Sequence, residues 1–275
     1  MKETERHKSI VFIVILVIFS TVCILAIVKY QKDKAYFYRE REKELIPDVF
    51  LEKDIRIAQN KPEGVLAIEE LDTITELYTN STEVSDLTGI QYLNNLTVLD
   101  LRLNKIEDIN PLKTLHNLEI IKLSNNRIKD ISALSTLENL VELDLNYNKI
   151  NNIEPIRNLK KLKRLSLSHN KITDITPLSE NTDLIYLNLM VNEIQGIYPL
   201  SELNSLARLN LSFNNIEDIF PLGNLYNLKN IDLDYNKIKD VSPLRKLYNL
   251  KFLNIHSNPM TDIDCLIGLE LEIYK

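Results

Sequence analysis

Eight asparagines recur every 22 residues: Asn104, Asn126, Asn148, Asn170, Asn192, Asn214, Asn236 and Asn258. A primary amide both donates and accepts hydrogen bonds. A column of them can therefore serve the backbone of its own segment and of the next, satisfying groups that a buried turn would strand. A second polar column follows four residues later, at Asp108, Asp130, Asp174, Asp218, Asp240 and Asp262. Carboxylates in register suggest calcium, but the calcium-binding repeat of comparable regularity is glycine-rich, and this chain has five glycines. Aspartates bonding local backbone in a turn are the simpler expectation. His7, His116, His169 and His256 are scattered, with no base beside a nucleophile and no metal-ligand spacing. The sequence thus predicts no catalytic residue, no metal set and no cofactor.

A fixed period of this length marks a solenoid, in which each repeat packs only on its neighbours. Frames start at Leu96, Leu118, Leu140, Leu162, Leu184, Leu206, Leu228 and Leu250. In the frame of Leu140, Leu143 and Leu145 alternate with Asp144, which is strand periodicity. Asn148 then marks a sharp turn. Ile150, Ile153, Ile156 and Leu159 recur every third residue, which suits an extended stretch leading into a short 3₁₀ segment. Proline at the sixteenth position (Pro111, Pro155, Pro177, Pro199, Pro221, Pro243) excludes a long helix there. A degenerate frame starts at Ile74, with Leu77, Val84, Leu87, Ile90 and Leu93 in place and Thr82 where the asparagine would stand.

These residues resemble leucine-rich repeat proteins, of the 22-residue kind found in internalins and in the related phosphatase-regulator subfamily. The segment before them adds Ile46-Pro47-Asp48, Leu51, Ile55, Gly64, Leu71, Ile74-Thr75 and Leu87-Thr88-Gly89-Ile90. It resembles the helical cap that opens internalin repeat domains and shields the first apolar edge. The resemblance implies an α/β fold class: a right-handed solenoid with short strands on the concave face and 3₁₀ or extended segments on the convex face. No immunoglobulin-like segment or sorting motif follows the repeats before Lys275, so adhesion to a host receptor is not carried over with the resemblance.

The organisation read from the sequence is a tail at 1–8, an apolar span at 9–28, a charged stalk at 29–45, a helical cap at 46–73, repeats at 74–271 and a short end at 272–275. Only Ser9, Ser20 and Thr21 interrupt the apolar character of 9–28. A helix of about 20 residues spans a bilayer core. A cleaved leader would have an apolar region of about 7–15 residues and a small-x-small site. Val22 before Cys23 also breaks a lipoprotein pattern. The expectation is therefore an uncleaved signal anchor. Three basic residues precede the span, while Lys29, Lys32, Lys34, Arg39, Arg41 and Lys43 follow it. That count places the repeats in the cytoplasm, whereas the internalin resemblance implies display outside. Display outside is the reading taken here, with a cytoplasm-facing scaffold for an intracellular enzyme as the alternative.

Net charge is −6, which argues against nucleic acid as a partner. Cys23 lies in the span and Cys265 takes the proline position of the last unit, so no disulfide is expected. In this architecture the residues flanking the strand leucines face outward, at the third, fifth, seventh and eighth positions. At the eighth, Tyr147, His169, Val191, Phe213 and Tyr235 fall on consecutive coils. They predict an exposed apolar stripe, the usual mark of an interaction surface. Tyr186 and Met190 are placed beside it, with Arg164, Arg208, Asp232 and Asp234 at its rim. A protein partner is the expectation and a polysaccharide the alternative, with the chain itself monomeric.

Overall fold

The computed structural model describes residues 27–32, 45–79, 83–260, 262–269 and 271–274. The chain divides into two compact units, 1–45 and 46–275. In the first, residues 27–32 are helical and exposed. The rest of the expected span at 9–28, and residues 33–44 of the stalk, lie outside the described residues, as does Thr82. Among the described residues no helix is long and apolar enough to cross a membrane.

The second unit opens with helix α1 (Val49–Ala58) and the single turn α2 (Ile68–Leu71). Asp48 caps α1, accepting from the Phe50 and Leu51 N–H groups at 3.0 and 3.1 Å. Its other oxygen accepts from the Ser85 and Asp86 N–H groups at 2.8 and 3.1 Å. One carboxylate thereby starts the helix and fastens it to the first repeat. Gly64, at φ +89°, makes the turn between the helices without the steric penalty that a Cβ brings there. Leu51, Ile55, Leu71 and Ile74 bury the apolar side of the cap.

Among the described residues ten strands follow in a single parallel sheet whose spatial order is their sequence order. They are β1 (Glu76–Tyr78), β2 (Val98–Asp100), β3 (Ile120–Lys122), β4 (Glu142–Asp144), β5 (Arg164–Ser166), β6 (Tyr186–Asn188), β7 (Arg208–Asn210), β8 (Asn230–Asp232), β9 (Phe252–Asn254) and β10 (Glu272–Tyr274). The register follows the period, with Leu143 beside Leu165 and Leu165 beside Leu187. Strands pack on strands and 3₁₀ turns on 3₁₀ turns, so the sheet and the turns line two separate faces. Proline is the second residue of six of the turns, as in Glu154–Asn158 and Phe220–Leu222. Its fixed φ suits that place, and its missing N–H is not required there.

Between the two faces run columns of Leu and Ile from every coil, almost all at most 2% exposed. Each such side chain contributes about 1.5–3 kcal/mol of burial, so the core is a stack of equal layers. One layer differs. Asn181 stands where the neighbouring coils have Leu159 and Leu203, and all three are fully buried.

Candidate functional site

The asparagine column occupies the turn after each strand. Asn170 accepts from the Ile150 N–H at 2.9 Å. Its Nδ2 donates to the carbonyls of Leu145, Leu167 and Ser168 at 3.0, 3.1 and 3.2 Å. The amide thus ties its own turn to the preceding coil. The pattern recurs at Asn126, Asn148, Asn192, Asn214, Asn236 and Asn258. Asn104 differs in donating to Thr79 Oγ1, and it accepts from the Val84 N–H. Backbone groups take up these side chains, leaving little for a ligand. The aspartate column is likewise engaged: Asp108, Asp130, Asp174, Asp218, Asp240 and Asp262 each accept the N–H two residues on, at 2.7–2.8 Å. Among the described residues no three potential ligands gather as they would around a metal ion.

The eighth position has a property the sequence did not show. Leu103, Asn125, Tyr147, His169, Val191, Phe213, Tyr235 and Ser257 all have positive φ, between 47° and 60°. Glycine and asparagine favour this left-handed region, and other residues lose about 1–2 kcal/mol in it. These residues lie past the strand, on the turn at its C-terminal end. The stripe is also not uniform. Tyr147 stacks on His169 at 3.9 Å between centroids and Phe213 on Tyr235 at 4.4 Å, both at 12° between planes. Val191 separates the two pairs, and His256 meets Tyr235 at a tilt. Tyr147, Phe213 and Tyr235 are all exposed. What the stack presents to solvent is a ledge of ring edges, because neighbouring rings cover each other's faces.

The seventh position was expected to face outward throughout. Ser124, Ser168 and Ser212 are buried instead, because the turn has already begun to close at this point. Larger residues alternate with them, and Met190 and Asp234 are half-buried.

Tyr186 and Arg164 do not flank the ledge. They stand at the starts of β6 and β5, with the Arg164 guanidinium 4.7 Å from the centre of the Tyr186 ring. Glu142 lies 3.5 Å from Arg164 and 3.6 Å from Lys122. Together with Arg102 and Ser166, these residues line a recess of about 170 Å³ on the sheet face. Arg208 is exposed on the next strand beyond Tyr186. At the far end, burial raises the Asp232 carboxyl above its ordinary value. The charge of Asp234 adds to this, and hydrogen bonds from the Asp234 N–H and Asn254 offset part of it. Asp234 also lies 3.4 Å from His256.

A third group escaped the sequence reading, which considered only the strand side. Tyr198 and Phe220 share the fifteenth position of adjacent coils, and Tyr226 and Tyr248 share the twenty-first. All four are exposed. Reading those two columns as the others were read would have found them.

The profile of a family described as "Leucine Rich repeats (2 copies)" matches residues 94–136, 116–160, 138–180, 160–205, 204–246 and 226–268. An internalin of Listeria monocytogenes, InlF, is similar at 35% identity and a TM-score of 0.76, over 84% of this chain and 76% of that one. Internalin C2 of the same organism is similar at 33% identity and 0.65, over 84% and 94%. A leucine-rich repeat protein of Leptospira interrogans is similar at 27% identity and 0.63, over 80% and 68%. Among curated proteins, none matches the chain by sequence.

Proposed function

We propose, from the premise that this chain belongs to the leucine-rich repeat family, that it is a protein-binding module whose ledge of ring edges and neighbouring sheet face together form the docking surface. The carrying observation is the two ring stacks, Tyr147 on His169 and Phe213 on Tyr235, whose Tyr147, Phe213 and Tyr235 side chains stand exposed on the turn that follows the strands. Exposed aromatic side chains gathered in one column mark an interaction surface, and aromatic residues dominate interface hot spots.

The charged groups Arg164, Arg208 and Asp232 of the sheet face, and Asp234 just beyond it, set register and specificity for the partner. The test replaces Tyr147, Phe213 and Tyr235 together by Asn, which tolerates the left-handed region. The expected variant keeps its thermal midpoint within a few degrees and captures partner at least about tenfold less well, one lost hot spot being worth more than 1 kcal/mol. Unchanged capture by the folded variant would refute the reading.

The finer proposal is tethering to a membrane through 9–28, with the repeats displayed outside. Its support is the uncharged run itself and the likeness to internalins. Protease shaving of intact cells carrying a C-terminal tag tests it. Loss of the tag supports outward display. A tag lost only after lysis would favour the cytoplasm-facing scaffold for which the six basic residues after the span speak.

A further inference from the structure

The outward residues of β5, β6 and β7 differ from those on either side. Burial alternates along each of these strands. The sheet face there is therefore built from Arg164, Ser166, Tyr186, Asn188, Arg208 and Asn210, and none of them is a carboxylate. Carboxylates return on both flanks, at Glu142 and Asp144 on β4 and at Asp232 on β8.

The cations of this face are not equivalent. Arg102 is paired with Asp100 at 2.7 Å, and Lys122 and Arg164 lie 3.6 and 3.5 Å from Glu142. Arg208 is exposed, and among the described residues it has no ion-pair partner. Its neighbours add donors. Asn188 Oδ1 accepts from the Met190 N–H at 3.1 Å, and Asn210 Oδ1 accepts from the Ser212 N–H and hydroxyl at 2.9 and 2.7 Å. The acceptor of each amide is committed to the turn, which leaves its Nδ2 as a donor. Among the described residues neither Nδ2 nor the Tyr186 hydroxyl has a hydrogen-bond partner. The register sets Tyr186 beside Arg208 and Asn188 beside Asn210. Strands lie about 4.8 Å apart and successive same-face residues about 7 Å apart, so these four side chains surround one patch. A carboxylate supplies acceptors alone and takes a guanidinium bidentately.

We propose that this patch recognises an acidic side chain of the protein partner, with Arg208 as the anchoring cation and Tyr186, Asn188 and Asn210 completing its hydrogen bonds. The proposal rests on the reading of the sheet face as a docking surface and names the chemistry of what docks there. Asp232, beside Asn210 on β8, repels an acid placed one strand further on, which fixes the acidic group over β6 and β7.

The test titrates the full chain into a fluorescein-labelled hexaglutamate peptide, with hexaglutamine as control, and follows anisotropy. A net charge of −6 gives the chain no general attraction for a polyanion, so binding reports the patch. Wild type is expected to bind hexaglutamate, less tightly as salt rises, and not hexaglutamine. Arg208→Glu is expected to weaken binding about tenfold or more, with its melting curve unchanged because the side chain is exposed. Asn188→Asp/Asn210→Asp is expected to lose binding as severely. Each new carboxylate keeps the turn bond, as Asp144 and Asp232 do at the same position, but replaces a donor by a like charge. No binding of hexaglutamate, equal binding of hexaglutamine, or wild-type binding by folded Arg208→Glu would each overturn the proposal. Inorganic phosphate displacing the peptide mole for mole would also overturn it, by making a small anion the occupant. Partner capture by the ledge variant is a separate readout, so failure here and failure of the docking reading are told apart.

Discussion

Asn181 interrupts a leucine column, and replacing it should stabilise the protein. Its side chain is fully buried. Its Nδ2 donates to the carbonyls of Ile156 and Leu159 at 3.3 and 2.9 Å, but its Oδ1 has no hydrogen-bond partner. An orphaned buried acceptor loses about 1–3 kcal/mol. Asn181→Leu removes that orphan and adds a buried leucine side chain, worth about 1.5–3 kcal/mol. Against this stand two lost hydrogen bonds of about 0.5–1.5 kcal/mol each. Neither carbonyl is stranded, because Ile156 still accepts from the Leu159 N–H and Leu159 from the Leu162 N–H. The space exists as well, since the adjacent coils seat Leu159 and Leu203 at the same place with no exposure. The balance favours the variant by about 1.5–3 kcal/mol. For a domain of this size that raises the melting temperature by about 3–12 °C. Thermal and urea melts followed by circular dichroism measure it. A melting temperature equal to or below wild type would refute the argument that the coils are interchangeable here.

Asn170→Ala removes the partner of the Ile150 N–H and of three carbonyls, and is expected to lower stability by about 2–4 kcal/mol, read as a lower urea midpoint. At Asp48, burial pushes the carboxyl up, but four backbone N–H bonds, from Ser85, Asp86, Leu51 and Phe50, outweigh it and hold the carboxyl below its ordinary value. A depressed carboxylate stabilises the fold above its unfolded pKa of about 3.9, and that stability is lost as pH falls through the folded value. Asp48→Asn should therefore melt earlier than wild type at pH 7, with the gap closing below about pH 4; an equal gap at both would sink the account.

The period is visible in the sequence because the core and the ladder leave each repeat little choice. A leucine moved by one position faces solvent, and an asparagine moved by one loses its carbonyls. The left-handed turns were not visible. Their usual signal is glycine, and here Tyr147, Val191 and Phe213 hold positive φ because the ladder amide and the inter-coil bonds impose it from both sides. The Val191 N–H, for example, donates to Ser212 and the Asn192 N–H to Phe213. Nothing in the residue types of the eighth column therefore signals that it lies on the turn beyond the strands. Nor does the sequence mark Asp54, a carboxylate 2% exposed in α1 whose oxygens have no hydrogen-bond partner, since helix periodicity alone does not say which flank of an amphipathic face is sealed.

That imposed turn explains why this architecture can vary its binding surface without refolding. The backbone at the eighth position is held by amides and main-chain groups of its own coil and its neighbours, none of which involves the side chain there. Any residue that bears about 1–2 kcal/mol of left-handed strain can occupy it, and leucine, asparagine, tyrosine, histidine, valine, phenylalanine and serine all do. In a stack of equal layers each such loss is local, set against the burial of several leucines in the same coil. Strain is therefore spread one residue per coil rather than concentrated, and a ledge of any chemistry can be written along it while ladder and core stay constant.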